Sequence, residues 1–178
     1  YAGQYGPQAV VDALVGETGM PGRLPVTLPA YAGAVPVRYN DRQSAEHVYR
    51  DAEEPVLLPF GFGVGSLSGV RVESFTATAE DNAVRVDLRL SAGEEPASGS
   101  CTVFARRIGG SHIPRLAQLV AAEHLELAAG QRLDVRLDVP FDRLMDPHDA
   151  TMRVRLWVED ADARHECEVM LVRRGHTD

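Results

Sequence analysis

AVRVDLRL, residues 83–90, alternates without a break: Val84, Val86, Leu88 and Leu90 are apolar, and Arg85, Asp87 and Arg89 between them are charged. A side-chain period of two belongs to a strand with one face in a core and the other in water. The rhythm returns at residues 133–139, where Leu133, Val135, Leu137 and Val139 alternate with Asp134, Arg136 and Asp138. It returns again at 152–158, where Met152, Val154, Leu156 and Val158 alternate with Arg153, Arg155 and Trp157. Less regular apolar runs at 72–78, 101–107, 125–127 and 167–172 also fit strands. Between them lie turn-forming stretches: EDN, AGEEPASG, GGS, AAGQ, DPHD and EDADA. Seven or so short strands with such punctuation predict an immunoglobulin-like, fibronectin type III-like β-sandwich over residues 67–178.

Residues 1–66 have another texture. They hold Pro7, Pro21, Pro25, Pro29, Pro36, Pro55 and Pro59 out of eleven prolines in all. One short helix is predicted. Pro7 suits its first turn, Val10 and Leu14 fall one turn apart, and Gly16 suits a left-handed C-terminal position. After the turn-rich GETGMPG, the segment RLPVTLP reads as a short buried strand. Residues 31–54 are polar and irregular and could not hold a core alone. This half reads as the C-terminal segment of an α/β-sandwich domain, with a linker, so the fold class is mixed. The junction PVLLPFGFGVGS, residues 55–66, is too apolar for a solvated loop and too rich in glycine for a good strand. It is expected to act as a hinge with Phe60 and Phe62 buried in the seam.

Composition narrows the function classes. At 178 residues with 44% hydrophobic and 25% charged residues, the chain is long enough for one large or two small globular domains. A net charge of −8 argues against a nucleic-acid partner, which needs a concentrated basic face. No apolar run approaches the roughly 18 residues of a membrane helix. All 18 basic residues are Arg, as in proteins from high-GC genomes. The chain opens on Tyr1 with neither an initiator Met nor a signal-like segment, as an interior piece of a longer protein would. Cys101 and Cys167 are too few for a zinc site, which wants four ligands, and no cofactor is expected.

The motifs in the first half are more specific. GQYGPQAVVDALVGETGMPGRLPVTLP, residues 3–29, resembles the end of the α/β-sandwich domain of glycoside hydrolase family three, the β-glucosidase and β-xylosidase family. Gly3, Gln4, Gly6, Ala9, Leu14, Gly16, Pro21, Gly22, Arg23, Leu24, Pro25, Val26, Thr27 and Pro29 match its pattern. VPVRYN, residues 35–40, is similar to the family's Pro-Val-x-Tyr-Asn segment. PVLLPFGFG, residues 55–63, resembles its Pro-Leu-x-Pro-Phe-Gly-x-Gly junction, which continues here as Val64-Gly65-Ser66 and not Leu-Ser-Tyr. A fibronectin type III-like domain follows that junction in many members. Residues 119–139 correspond to a pattern of that domain, with Ala121-Ala122 for its Gly-Phe and Gln131 for its Glu.

The resemblance implies a retaining, exo-acting β-glycosidase parent that removes terminal non-reducing sugars. In that chemistry a carboxylate nucleophile and a carboxylic acid stand about 5–5.5 Å apart. In the family both belong to regions that would precede Tyr1, and no residue here matches either motif. The catalytic set of this chain is therefore expected to be empty, and the chain alone inert. The implied partners are the upstream barrel and α/β domain of the same enzyme and a carbohydrate or glycoside substrate, with room left for a homodimer. A secreted or periplasmic location is slightly favoured over a cytoplasmic one.

Tyr39, Asn40, Tyr49 and Arg50 are the candidate substrate-binding residues. They lie in the irregular 31–54 segment and can stack on or hydrogen-bond to sugars, which would place them on the pocket rim; the plainer reading is that the segment packs against a neighbouring domain. Glu53, Glu54, Asp160 and Asp162 read as solvated acidic turn residues. The six histidines, His47, His112, His124, His148, His165 and His176, show no helical metal pairing, and Ser44, Ser66 and Ser111 sit in no nucleophile elbow. Trp157 falls on the outer face of its strand, to be covered by Arg side chains or a neighbouring domain, or else to serve as a sugar platform. Cys101 and Cys167 are expected on strands separated by a third, hence as free thiols. The alternative to a glycosidase segment is a non-catalytic carbohydrate-binding or protein-interaction module.

Overall fold

Seven antiparallel strands form where the alternating runs and their less regular companions lie, and they divide into two sheets. The computed structural model describes residues 3–18, 23–34, 37–42, 54–62, 69–160 and 163–173. One sheet has the order β3 (Val70–Ala79), β4 (Ala83–Ala92), β7 (Arg132–Pro140). The other has the order β6 (Gln118–Leu127), β5 (Ala97–Ile108), β8 (Thr151–Glu159), β9 (Arg164–Val172). The all-β sandwich is the fold of residues 70–172, and the alternation explains it. Val84, Val86, Leu88 and Leu90 of β4 join Val154, Leu156 and Val158 of β8 in one buried core. Burying an aliphatic side chain of this size stabilises by about 1.5–3 kcal/mol, which no surface pair matches.

The strands without clean alternation have local causes. In β3 the register slips between Val72 and Ser74, so Glu73 is an extra residue. Val70 and Val72 face the core before the slip, and Phe75, Ala77 and Ala79 pack against it afterwards. The bulge changes which parity points inward. Strand β6 slips likewise opposite Val103 and Phe104. The three-residue strand expected at 125–127 is thus only the end of a ten-residue one. Its middle, Ala122-Glu123-His124, is exposed and too polar or small to read as a strand. A one-turn helix, α2 (Phe141–Leu144), was unforeseen; it follows Pro140 and inserts Phe141 and Leu144 into the core.

The hairpin between β8 and β9 corrects one expectation. Asp160 is no solvated turn residue, because its side chain is only 5% exposed. Its carboxylate accepts hydrogen bonds from Ala163 N (2.8 Å), from Val72 N on the opposite sheet (3.0 Å) and pairs with His165 Nε2 (3.1 Å). One side chain closes the turn and ties the two sheets together. Asp160→Ala leaves the buried Val72 N without its partner and is expected to cost about 1–3 kcal/mol in urea unfolding. An equal loss from Glu159→Ala, which pairs with exposed Arg164, would remove the special role given to Asp160.

Among the described residues of the first half, backbone hydrogen bonds join its segments at a few points. Helix α1 (Gly6–Leu14) forms as expected, with Pro in its first turn and Gly16 at φ +81° beyond its end. RLPVTLP is not a buried strand. Only β1 (Leu28–Pro29) remains, and Val26 is exposed, because Pro25 and Pro29 have no N–H for a ladder. It pairs with β2 (Val56–Leu58), a strand inside the junction stretch. Leu24 N donates to Phe62 O (2.8 Å), Gly61 N to Leu24 O (2.9 Å) and Ala30 N to Pro55 O (2.9 Å). Gly61 stands at φ +80°, where a side chain would be strained. Phe62 corrects the expectation of a second buried ring, since it is 41% exposed. Residues 63–66 of the junction lie outside the described residues.

Candidate functional site

The outer faces of the two sheets differ, and that difference locates the site. On the three-stranded sheet the outward residues pair across strands: Arg89 with Asp134 (2.8 Å) and Arg136 with Asp87 (2.8 Å). Arg89 holds the Asp134 carboxyl below its usual range. Such pairs stand in water and add little to stability. The four-stranded sheet instead presents two large rings outward, Phe104 from β5 and Trp157 from β8, which are register partners. Their rings lie 5.7 Å apart at 18°, and the Arg164 guanidinium sits 5.0 Å above the indole. Trp157 is 6% exposed. Of the readings for Trp157, coverage by protein groups is what the structure shows.

The first half supplies the rest of the cover. Tyr39 stacks on Phe60 with centroids 4.2 Å apart, and both meet Phe104 edge-on, at 6.4 and 6.0 Å. Offset and edge-on pairs of this kind add about 0.5–1.5 kcal/mol each beyond the area they bury. Next to the rings, the chain runs antiparallel to the β5–β6 connection. Arg42 bridges Arg115, and Leu116 N donates to Asp41 O (2.7 Å). Arg115 Nη1 donates to Asn40 O (2.9 Å), and Arg42 Nη1 to Ile113 O.

Of the four sequence-derived binding candidates, Tyr39 and Asn40 therefore come together at this seam. Tyr39 uses its ring for packing, and Asn40 uses its backbone carbonyl as an acceptor. Tyr49 and Arg50 lie outside the described residues, as do Glu53 and Asp162.

Beside the seam opens a cleft of about 230 Å³, lined by Arg42, Arg107, Arg115 and Arg143 together with Asp146. No sequence signal points to it, because its arginines lie on four separated stretches, three gathered by the sandwich and Arg42 added by its bridge to Arg115. Arg143 Nη1 donates to Val120 O (2.9 Å) and Arg107 Nη1 to Asp146 Oδ1 (2.7 Å). The Arg107 hydrogen bond holds the Asp146 carboxyl below the usual carboxylate range. Ser111 Oγ and Asp146 Oδ2 both approach His112 Nδ1, at 3.0 and 3.1 Å. A nucleophile–base–carboxylate relay uses two different ring nitrogens, so this trio is not one. Among the described residues no group of three His, Cys, Asp or Glu is placed to hold a metal ion. Cys101 and Cys167 are free, on β5 and β9 with β8 between them. Burial pushes the Cys101 thiol up to about 11, against a smaller opposing effect of Arg23.

No family model matches the chain. Among curated proteins it is similar to a periplasmic β-glucosidase of Salmonella typhimurium, 23% identical over 81% of this chain and 21% of that protein. It is also similar to a putative β-xylosidase of Formosa agariphila, 23% identical over 76% of this chain and 19% of that protein. The chain thus spans about a fifth of the length of the curated relatives it matches. Among solved structures, a β-glucosidase involved in saponin metabolism from intestinal bacteria superposes with a TM-score of 0.76. The match is 22% identical and covers 94% of this chain and 25% of that one. Over most of its length the chain resembles the C-terminal region of family-three glycoside hydrolases.

Proposed function

We propose that this chain is the C-terminal portion of a retaining, exo-acting β-glycosidase of the β-glucosidase type, serving as scaffold and not as the catalytic centre. The observation that carries the reading is the reach of the β-glucosidase alignment. It covers 81% of the chain, more than the sandwich alone can supply, so it includes part of the proline-rich half. In this reading residues 1–66 close an α/β-sandwich domain, and residues 67–178 form a fibronectin type III-like domain docked through the aromatic seam. Helix α1 supports it. Tyr5 is 79% exposed and Leu14 78%, with Val10, Val11 and Val15 exposed beside them. An apolar helix face of that extent calls for a covering partner, here the upstream part of the same enzyme.

Tyr39, Asn40, Tyr49 and Arg50 form part of the pocket rim in this proposal; the place of Tyr39 and Asn40 on the 37–42 segment that crosses the seam supports it. A periplasmic or secreted location goes with the named periplasmic relative. Among the described residues no helix is long and apolar enough to cross a membrane.

The direct test is hydrolysis of an aryl β-glucoside. The 178-residue chain is expected to show no turnover, and a parent carrying the upstream domains is expected to show it. Turnover by the chain alone would refute the scaffold role. Alanine at Tyr39, Asn40, Tyr49 and Arg50 in the parent is expected to raise KM. Unchanged KM and kcat at all four removes the rim role and leaves the scaffold reading standing.

A further inference from the structure

We propose that the cleft beside the seam binds a small oxyanion, a carboxylate or phosphate group, between Arg42, Arg107, Arg115 and Arg143. Four guanidinium groups and one carboxylate line it, in a chain whose net charge is −8. Such a concentration of positive charge in an acidic protein is repulsive unless an anion relieves it. Each guanidinium is held through Nη1: Arg42, Arg115 and Arg143 on the backbone carbonyls of Ile113, Asn40 and Val120, and Arg107 on Asp146. The carbonyls carry no net charge, so among the described residues three of the four cations are oriented without being neutralised. A planar guanidinium has five donors, and a bond through one terminal nitrogen leaves a fork for a second partner. Pinned forks of this kind favour carboxylate or phosphate, because their geometry is set before the ligand arrives.

The size agrees with a small ligand. About 230 Å³ is below the roughly 300–1,000 Å³ of sites for drug-sized molecules. Asp146 sets the polarity. It engages Arg107 and faces His112, and so lowers the charge available at that end. The anion then sits toward Arg42, Arg115 and Arg143. Because Arg42 and Arg115 also tie the 37–42 segment to the β5–β6 connection, occupancy also fastens the seam. The inference does not depend on the glycosidase reading.

Thermal unfolding of the full chain at low ionic strength tests it, with inorganic phosphate, glucuronate and glucose as separate additions. At about 10 mM, phosphate or glucuronate is expected to raise Tm, and glucose, uncharged, is not. Arg42→Gln/Arg143→Gln is expected to weaken the anion effect about tenfold or more, since two charge-assisted contacts go. Arg132→Gln on the other sheet should leave it unchanged. Should the double variant fold poorly, Asp146→Asn reads the same cleft in the opposite direction, with anion binding several-fold tighter. A stronger response to glucuronate assigns the site to acidic sugars, a stronger response to phosphate assigns it to phosphate or its esters, and equal responses support the shared oxyanion chemistry. No protection by either anion, equal protection by glucose, or anion protection that neither cleft variant alters would overturn the proposal.

Discussion

Leu156→Ala is expected to destabilise the chain by about 2–5 kcal/mol, a large share of the roughly 5–15 kcal/mol that holds a domain folded. Leu156 is fully buried on β8, which lies between β5 and β9, and its register partners are Ala105 and Cys167. A central strand cannot shift to fill the void without disturbing ladders on both sides, so collapse of the cavity is resisted. The side chain also faces a core made from both sheets, and its loss loosens their contact as well as its own burial. At about 4–8 °C per kcal/mol for a domain of this size, the fall in Tm is readily seen. Met170→Ala, on exposed β9 surface, provides the contrast and should change little. A Leu156→Ala Tm within the range of Met170→Ala would show that the two sheets are not held by one core.

The second large effect concerns the seam, and here two variants separate local from global loss. Phe104→Ala removes a buried ring that touches Trp157 on its own sheet and Tyr39 and Phe60 above. It is expected to cost about 3–5 kcal/mol, most of it in the sandwich. Phe60→Ala acts from the other side. It removes a half-buried ring and its stack on Tyr39, about 1.5–2 kcal/mol, from a segment that backbone bonds to Leu24 and the Thr27 and Arg23 side chains also hold. The sandwich should then melt as before while the first half opens more often. Limited proteolysis should release the chain before Gly69 about ten- to thirtyfold faster. If Phe60→Ala lowers the sandwich Tm as much as Phe104→Ala does, the first half is part of a single cooperative unit and the seam is no boundary.

The sandwich was legible because its three regular strands face water on one side, which writes hydrophobicity into every second residue. Legibility failed where that condition failed. Glu73 inserts a residue into β3 and shifts the inward parity, so no single alternation runs through the strand. Strand β6 exposes Ala122, Glu123 and His124 along its middle, which separates Leu119 and Val120 from Leu125 and Leu127 and breaks the alternation. Val103-Phe104-Ala105 and Leu156-Trp157-Val158 are buried on consecutive residues, because the sheet there is covered on both faces. The covering rings, Tyr39 and Phe60, lie far away in sequence, in a half whose prolines suppress ladder bonds and with them any period.

The candidate site shows the same limit. Tyr39 and Asn40 stand out by residue type, and the structure brings them to the seam on the four-stranded sheet, though the ring packs on protein and the asparagine acts through its carbonyl. The arginine cleft was not legible at all. Arg42, Arg107, Arg115 and Arg143 form no run: the sandwich gathers the last three, and the antiparallel bridge between distant segments adds Arg42. Type and spacing report on what one element does, and a cleft built from four elements is written in none of them.

The chain has a single tryptophan, and it stands at the seam and not in the core. Its indole is bounded by Phe104 and by the Arg164 cation, and Phe104 is in turn roofed by Phe60 and Tyr39. A red shift of its emission, as of a wetted indole, would therefore signal that Phe104 or Arg164 has left it. The molecule carries its own optical gauge for the outer layer of the four-stranded sheet, readable without a label.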